Sequence, residues 1–187
     1  MSEHACRGRK MSWRQCGESR SELVTAKERV DRTMSVQYDV LIMGFPLFQG
    51  FTLHGAQMLL DCGEVKEYAS GEVVLKERDS PTFVLLVLTG HMRVFVERAQ
   101  GDMVLSEAGP GTILGELAVL CGIPRTASVR TTVESAALRW SAAAFRTLLL
   151  QNVSLSQRIF RESLRSLIDK ERLLIDSLMR LRDNESE

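Results

Sequence analysis

The sequence is short of several things, and each shortage closes off a class of protein. Cysteine is scarce and scattered: Cys6, Cys16, Cys62 and Cys121 form no C-x-x-C pair. That spacing suits neither a disulfide framework nor a closed zinc site, and a loose trio of His4, Cys6 and Cys16 falls short of the four well-spaced ligands such a site needs. Free thiols of a reducing cytoplasm are the expected state. Net charge is also missing, because 24 Lys and Arg balance 24 Asp and Glu. The whole chain therefore has no electrostatic pull toward nucleic acid or anionic lipid. No apolar run is long enough to span a bilayer, "VLIMGFPLF" being the longest near the start, and no secretory signal opens the chain.

Catalytic signatures are equally thin. "GPGTILG" spaces its glycines as G-x-G-x-x-x-G, which is not the dinucleotide fingerprint, and no glycine loop is followed by a Walker lysine. His4, His54 and His91 stand near no nucleophile motif, so no enzyme is expected. His54 and His91 read as ordinary helix and turn residues. Trp13 and Trp140 read as a leader residue and a strand residue beside a helix start. The ending "LMRLRDNESE" offers no helix-turn-helix after the last helix, so no DNA-binding domain is expected either.

What is present is a chain of 187 residues, 44% hydrophobic and 26% charged, enough for one globular domain with an appendage. Residues 1–36 are polar and irregular, with eight Lys and Arg against five Asp and Glu. They read as a disordered or weakly helical leader in which Ser21 could cap "SELVTAKERV"; translation from Met11 or Met34 is an alternative. From Val36 the apolar density rises, and "PLFQGFTLHGAQMLLDCG" reads as a turn followed by a helix ending near Gly63.

The period then changes to two. "EVKEY", "GEVVLKERD", "FVLLVLTG", "HMRVFVER", "GDMVLSE", "TASVRTTVES" and "AALRW" are seven candidate strands punctuated by Gly, Asp and Pro, the pattern of an antiparallel sandwich or barrel. In "HMRVFVER" the alternation sets Met92, Val94 and Val96 against Arg93, Phe95 and Glu97. "SAAAFRTLLLQ" is a helix capped by Ser141. After it runs a long amphipathic helix whose Val153, Phe160, Leu164, Leu167, Leu174, Leu178 and Leu181 follow 4/3 spacing. Gln157 and Glu171 interrupt that row, and Ile168 and Ile175 widen it. Packing on its own domain would absorb part of the stripe. Its length, about 45 Å for 30 residues, fits a parallel coiled coil across a dimer axis better.

One stretch stands apart: "GTILGELAVLCGIPRTASV", residues 111–129, holds a single carboxylate, Glu116, and a single guanidinium, Arg125, in an apolar run. Either the two pair with each other or a charged ligand sits between them. A phosphate needs clustered backbone N–H groups, small residues and a planar guanidinium fork. Gly115 turning into a short helix from Glu116 would supply the first two, and Arg125 behind Pro124 the third. Glu116, which would repel phosphate, is suited to accepting from a sugar hydroxyl. A ligand with one phosphate charge and a ribose answers both residues.

On these residues the chain resembles the cyclic nucleotide-binding domains. "GELAVLCGIPRTASV" is similar to their phosphate-binding cassette, G-E-[LIM]-A followed by P-R-x-A-[TSN]-V. "YASGEVVLKERD", "LLVLTGHMRV" and "GPGTILGE" resemble the family's turns and hairpin, so the likeness covers about residues 45–183. The resemblance implies a mainly β fold, an antiparallel, jelly-roll-like β-roll with short N-terminal helices and a long C-terminal helix. The expected division is a leader over 1–36, the β-roll over 37–150 and the long helix, a lid or dimer coiled coil, over 151–187.

It also implies a ligand site of Gly115, Glu116, Leu117, Ala118, Pro124, Arg125, Thr126 and Ala127. There Gly115 and Glu116 meet the cyclic phosphate and ribose 2′-hydroxyl, the backbone of Leu117 and Ala118 helps, and Arg125 takes the exocyclic oxygens. Thr126 stands where a hydroxyl reaches phosphate or a guanine base. The chain departs from the pattern at Leu114 for Phe, at Pro110-Gly111-Thr112 for Gly-Asp and at Cys121. It departs again at Arg78, where a turn glycine usually precedes Asp79. The expected protein is a stand-alone cytoplasmic sensor of cAMP rather than cGMP, without a catalytic cofactor. It would be a homodimer through 153–181, and the ligand would draw the C-terminal helix over the base and signal to an unidentified effector. The alternative is a ligand-free interaction module on the same fold.

Overall fold

The computed structural model of the chain describes residues 38–184, so the leader over 1–36, its Ser21 cap and the His4, Cys6 and Cys16 trio lie outside the described residues. A short helix over 38–44 (α1) leads to a one-turn 3₁₀ helix, Pro46–Phe48, and to helix α2, Leu53–Asp61. Thr52 starts α2 because its hydroxyl accepts the Gly55 N–H at 3.2 Å. Eight strands follow in place of the seven expected: β1 Glu64–Tyr68, β2 Val73–Leu75, β3 Phe83–Thr89, β4 Met92–Arg98, β5 Gly101–Ala108, β6 Ile113–Leu114, β7 Ser128–Thr131 and β8 Ser135–Ser141. The additional one, β6, is two residues long, too short to show a period of two.

The strands form two four-stranded antiparallel sheets, ordered β1-β8-β3-β6 and β2-β7-β4-β5. This is the expected β-roll with flanking helices. Strand β3 explains the layering. Its run "FVLLVLT" is buried on both faces, which is why it is continuously apolar rather than alternating. Leu85 and Val87 point between the sheets, against Met92, Val94, Leu114 and Val129. Val84, Leu86 and Leu88 point the other way, into a helix-covered core with Phe48, Leu59, Leu138, Trp140 and Phe145. Trp140 closes that core with its polar edge as well, donating from Nε1 to the Leu59 carbonyl at 2.8 Å.

Strand β4 departs from clean alternation. Met92 and Val94 are buried while Arg93 is exposed, but Phe95 is buried too. The register with β5 slips between Val94 and Phe95, which turns the second half of the strand. The Arg130 guanidinium then lies 4.6 Å over the Phe95 ring.

Helix α3, Glu116–Cys121, sits between β6 and β7, and helix α4, Ala142–Gln151, follows β8 with Ser141 accepting the Ala144 N–H as expected. Helix α5, Val153–Asn184, runs 32 residues and opens with the Asn152 side chain accepting from the Leu155 N–H. Leu155 and Ile159 are buried in the helix-covered core, so the first turns of α5 belong to the packed domain. Phe160, Leu164, Leu167, Leu174 and Leu178 are exposed, as are Val153, Ile168 and Ile175. The side chain of Leu181 falls outside those described. Among the described residues no helix is long and apolar enough to cross a membrane.

Arg78 has the left-handed backbone that a glycine adopts freely, φ 71°, and it is the only non-glycine among the described residues to do so. The turn it makes is tied to the cassette: the Arg78 N–H donates to the Arg125 carbonyl, and the Arg125 N–H donates to the Asp79 carbonyl. Left-handed backbone costs an L-residue about 1–2 kcal/mol, of which glycine's looser unfolded chain returns part. Arg78→Gly is expected to raise unfolding stability by about 1 kcal/mol, read as a higher urea midpoint at unchanged slope. A lower midpoint would show that the Arg78 side chain stabilises the turn by more than its backbone strains it.

Candidate functional site

The site begins at Gly115, where β6 hands over to α3. Its φ of 81° is open to glycine, and a Cβ there would come within 2.3 Å of the Arg125 guanidinium. Removing the side chain therefore both makes the turn and leaves room for the arginine. Strand β6 is held in place by pairing with β3, Leu114 opposite Leu85 and Ile113 opposite Leu86. At its other end α3 stops at Gly122, which is left-handed, and the Arg146 side chain donates to the Val119 carbonyl at 2.8 Å.

Arg125 is 4% exposed, and its partners are backbone carbonyls. One nitrogen donates to Gly115 O at 2.7 Å and the other to Phe83 O at 2.5 Å. The guanidinium lies 5.2 Å over the Phe83 ring, whose environment it shares with Arg139, 4.1 Å from the same ring. Burial pulls the Arg125 pKa down from its ordinary value, and the nearby carboxylates of Glu116 and Asp79 push it back up.

Glu116 is 9% exposed and reaches a different element altogether. Its Oε1 accepts from the Ser163 hydroxyl of α5 at 3.0 Å, both groups being buried. Burial raises the Glu116 pKa above the usual carboxylate value. The opposing effects are hydrogen bonds from its own N–H, from Ser163 and from the Leu117 N–H, together with the charge of Lys170. Glu116 and Arg125 form no salt bridge with each other. The simplest answer to their company in an apolar run, a direct ion pair, is therefore not the arrangement found.

Both residues line one cavity of about 700 Å³ between the cassette, β5 and α5. Gly115, Leu117, Ala118, Thr126 and Ala127 line it too, whereas Pro124 does not. Sequence reasoning missed the rest of the wall. Met103, Val104 and Leu105 of β5 and Leu167, Lys170 and Leu174 of α5 are among its residues. Its size and mixed lining are those of a small-molecule site. Its two cationic groups, Arg125 and Lys170, share the lining with the Glu116 carboxylate, which accepts from Ser163, and with the Glu107 carboxylate, which accepts from Arg93 at 3.1 Å. No cluster of three or more His, Cys, Asp or Glu capable of holding a metal ion occurs among the described residues.

Residues 65–152, from β1 to the end of α4, match the family described as the cyclic nucleotide-binding domain. The chain is 33% identical over 96 residues to the cAMP-dependent protein kinase regulatory subunit of Blastocladiella emersonii, covering 51% of this chain and 24% of that protein. It is 29% identical over 112 residues to the potassium channel KAT3 of Oryza sativa subsp. japonica, covering 60% and 22%. The chain thus spans about a quarter of the length of these curated relatives. Its fold is shared with the Thermus thermophilus catabolite activator protein, with a TM-score of 0.63 at 23% identity over 72% of this chain and 63% of that one. Residues 65–152 thus match the cyclic nucleotide-binding domain family in sequence, and the fold is shared beyond them.

Proposed function

We propose that the chain is a regulatory sensor that binds a cyclic nucleotide, cAMP in preference to cGMP, under the lid of α5, and that it is not an enzyme. The carrying observation is that Glu116 and Arg125, both buried and of opposite charge, line one cavity without pairing to each other. Two such charges carry a desolvation cost that neutral partners offset only in part. A ligand presenting a hydroxyl to Glu116 and an anion to Arg125 completes both. In this reading the ribose 2′-hydroxyl donates to Glu116, and the exocyclic phosphate oxygens accept from Arg125. The cyclic phosphate lies against Gly115 and the backbone of Leu117 and Ala118, and Thr126 and Ala127 edge the base. Lys170 adds a second cation, suiting a ligand of net negative charge. The preference for cAMP rests on the curated relative whose printed name carries that nucleotide.

Signalling is proposed to pass through α5, which makes walls of the cavity and bears an outward apolar stripe. The residues docked on the domain or lining the cavity, Leu155, Ile159, Ser163, Ser166 and Lys170, lie roughly 110° around the helix from Phe160, Leu164 and Leu178, with Leu167 and Leu174, which also line the cavity, between the two. In this reading one edge of the helix serves the ligand, the opposite edge serves a second copy of the chain, and Leu167 and Leu174 border both. Phe160 and Leu178 are 60% and 66% exposed, a large apolar area for a single chain to leave in water. A parallel homodimer through 153–181 would cover it. The leader over 1–36, the β-roll over 37–150 and this helix would then be three functional parts. The setting is proposed to be cytoplasmic, in keeping with the free thiols of Cys62 and Cys121.

A second reading has its own observation. The Arg125 donors already end on the Gly115 and Phe83 carbonyls, and Ser163 already occupies Glu116. A site satisfied from within is what a ligand-free interaction module would keep.

Isothermal titration with cAMP and cGMP separates the two. We expect binding at micromolar or lower concentration, tighter for cAMP, and weaker by about a hundredfold in Arg125→Ala. Because Arg125 also ties two carbonyls, Arg125→Lys, which keeps the charge without the fork, accompanies it, and circular dichroism checks both folds. No heat with either nucleotide, or full affinity in Arg125→Ala, contradicts the sensor. For the seam, light scattering at tens of micromolar is expected to show a dimer that Leu178→Glu turns to monomer; Leu178 lies off the cavity, so its effect reads the seam alone. A monomeric wild type contradicts the dimer.

A further inference from the structure

The row of α5 residues docked on the domain is Leu155, Ile159 and Ser163, one every four positions. The first two are apolar and fully packed. The third is a hydroxyl, 5% exposed, at a place where the row would otherwise continue with an aliphatic side chain. Its one recorded partner is the Glu116 carboxylate at 3.0 Å. A second tie one turn earlier holds the same helix down, Arg158 donating to the carbonyls of Leu47 and Gln49.

We infer that Ser163 is an internal competitor of the ligand: its hydroxyl occupies on Glu116 the acceptor that the ribose 2′-hydroxyl takes, and so latches α5 over the unliganded cassette. This deepens the proposed function and rests on it. The chemistry is an exchange of one hydroxyl donor for another at a buried, charged acceptor, with no bond made or broken covalently. Such hydrogen bonds are stronger than neutral ones, and inside the fold they are not diluted by water. The displaced serine is not stranded, because a helical serine can turn its hydroxyl back to the carbonyl four residues earlier, here Ile159. The exchange is therefore close to balanced, which is what a switch requires. A nucleotide with a 2′-hydroxyl must unlatch the helix at Ser163; one without it binds and leaves the latch in place. Ligand and helix position are then coupled through this one contact, in the direction of release at Ser163. Closure of the lid over the base would bring the helix down there instead.

The test is a four-way titration: wild type and Ser163→Ala, each with cAMP and with 2′-deoxy-cAMP. Alanine is the best helix former and leaves no donor unsatisfied, so the variant is expected to fold. Loss of the competitor should tighten cAMP about tenfold, as expected for a hydrogen bond to a charged acceptor partly offset by the Ile159 fallback. Affinity for 2′-deoxy-cAMP should stay within twofold. Equal tightening of both nucleotides would show that the substitution merely loosens α5, and would overturn the inference. So would unchanged cAMP affinity in Ser163→Ala beside normal binding by the wild type, with the sensor reading intact. A wild type that binds neither nucleotide refutes the sensor reading itself, and the latch with it. Should the variant fail to fold, amide hydrogen exchange of the wild type decides: residues 161–167 exchange faster with saturating cAMP if the latch opens, and slower exchange contradicts it.

Discussion

Strand β3 is the constraint from which both the fold and the site follow. A seven-residue strand with both faces buried must have a layer on each side, and the chain supplies a second sheet on one and helices on the other. The same strand then builds the site with its ends and edges. Its pairing with β6 through Leu85 and Leu86 leads the chain to Gly115 in the wall of the cavity. The Phe83 carbonyl and ring, at its start, hold the Arg125 guanidinium. Arg125 is thus gripped by core backbone on one side and by the Gly115 carbonyl on the other, while its own backbone is bonded to the Arg78–Asp79 turn. A side chain held in so many ways keeps its fork in place without a ligand.

Electrostatically the site is a divided pair. Burial disfavours the charge on Glu116 and on Arg125 alike, and each relieves the other only at a distance. Nearer relief comes from dipoles: carbonyls for the arginine, backbone N–H groups and a serine hydroxyl for the glutamate. Those neutral partners are exchangeable for ligand atoms of the same kind, which a direct salt bridge would not be. The cavity is therefore assembled with its two charges in place and its walls drawn from the cassette, several strands and helix α5.

Much of this was legible in the sequence where the signal is local. The turn at Gly115, the short helix starting at Glu116, the Ser141 cap and the odd residue at Arg78 each depend on neighbours a few positions away. The two-sheet arrangement was legible as well, through a period of two between glycine turns. What escaped reading is non-local. Strand β6 exists because β3 pairs with it, not because two residues show a pattern. Phe95 is buried because a slip in register turns it, and nothing in "HMRVFVER" announces that slip. The Arg125 partner at Phe83 lies 42 positions away, and the Glu116 partner at Ser163 lies 47 away. Ser163 was hidden for a further reason: a serine on a charged helix looks like solvent-facing filler until the docked face is known.

Helix α5 joins these strands of the account. Its stripe was read as a single dimer seam; the structure adds a docked row, Leu155, Ile159 and Ser163, about a quarter-turn away, and puts Leu167 and Leu174 of the stripe in the cavity wall. A displacement of the docked row by a ligand would move the outward seam with it, because a helix turns as a unit. The most direct measurement of the central claim is a two-dimensional amide spectrum of the labelled protein recorded during addition of cAMP. The account predicts saturable shifts at Gly115, Glu116, Leu117 and Ala118 together with shifts along 163–170 of α5. A spectrum unchanged at those cassette amides, at cAMP concentrations well above micromolar, would contradict it.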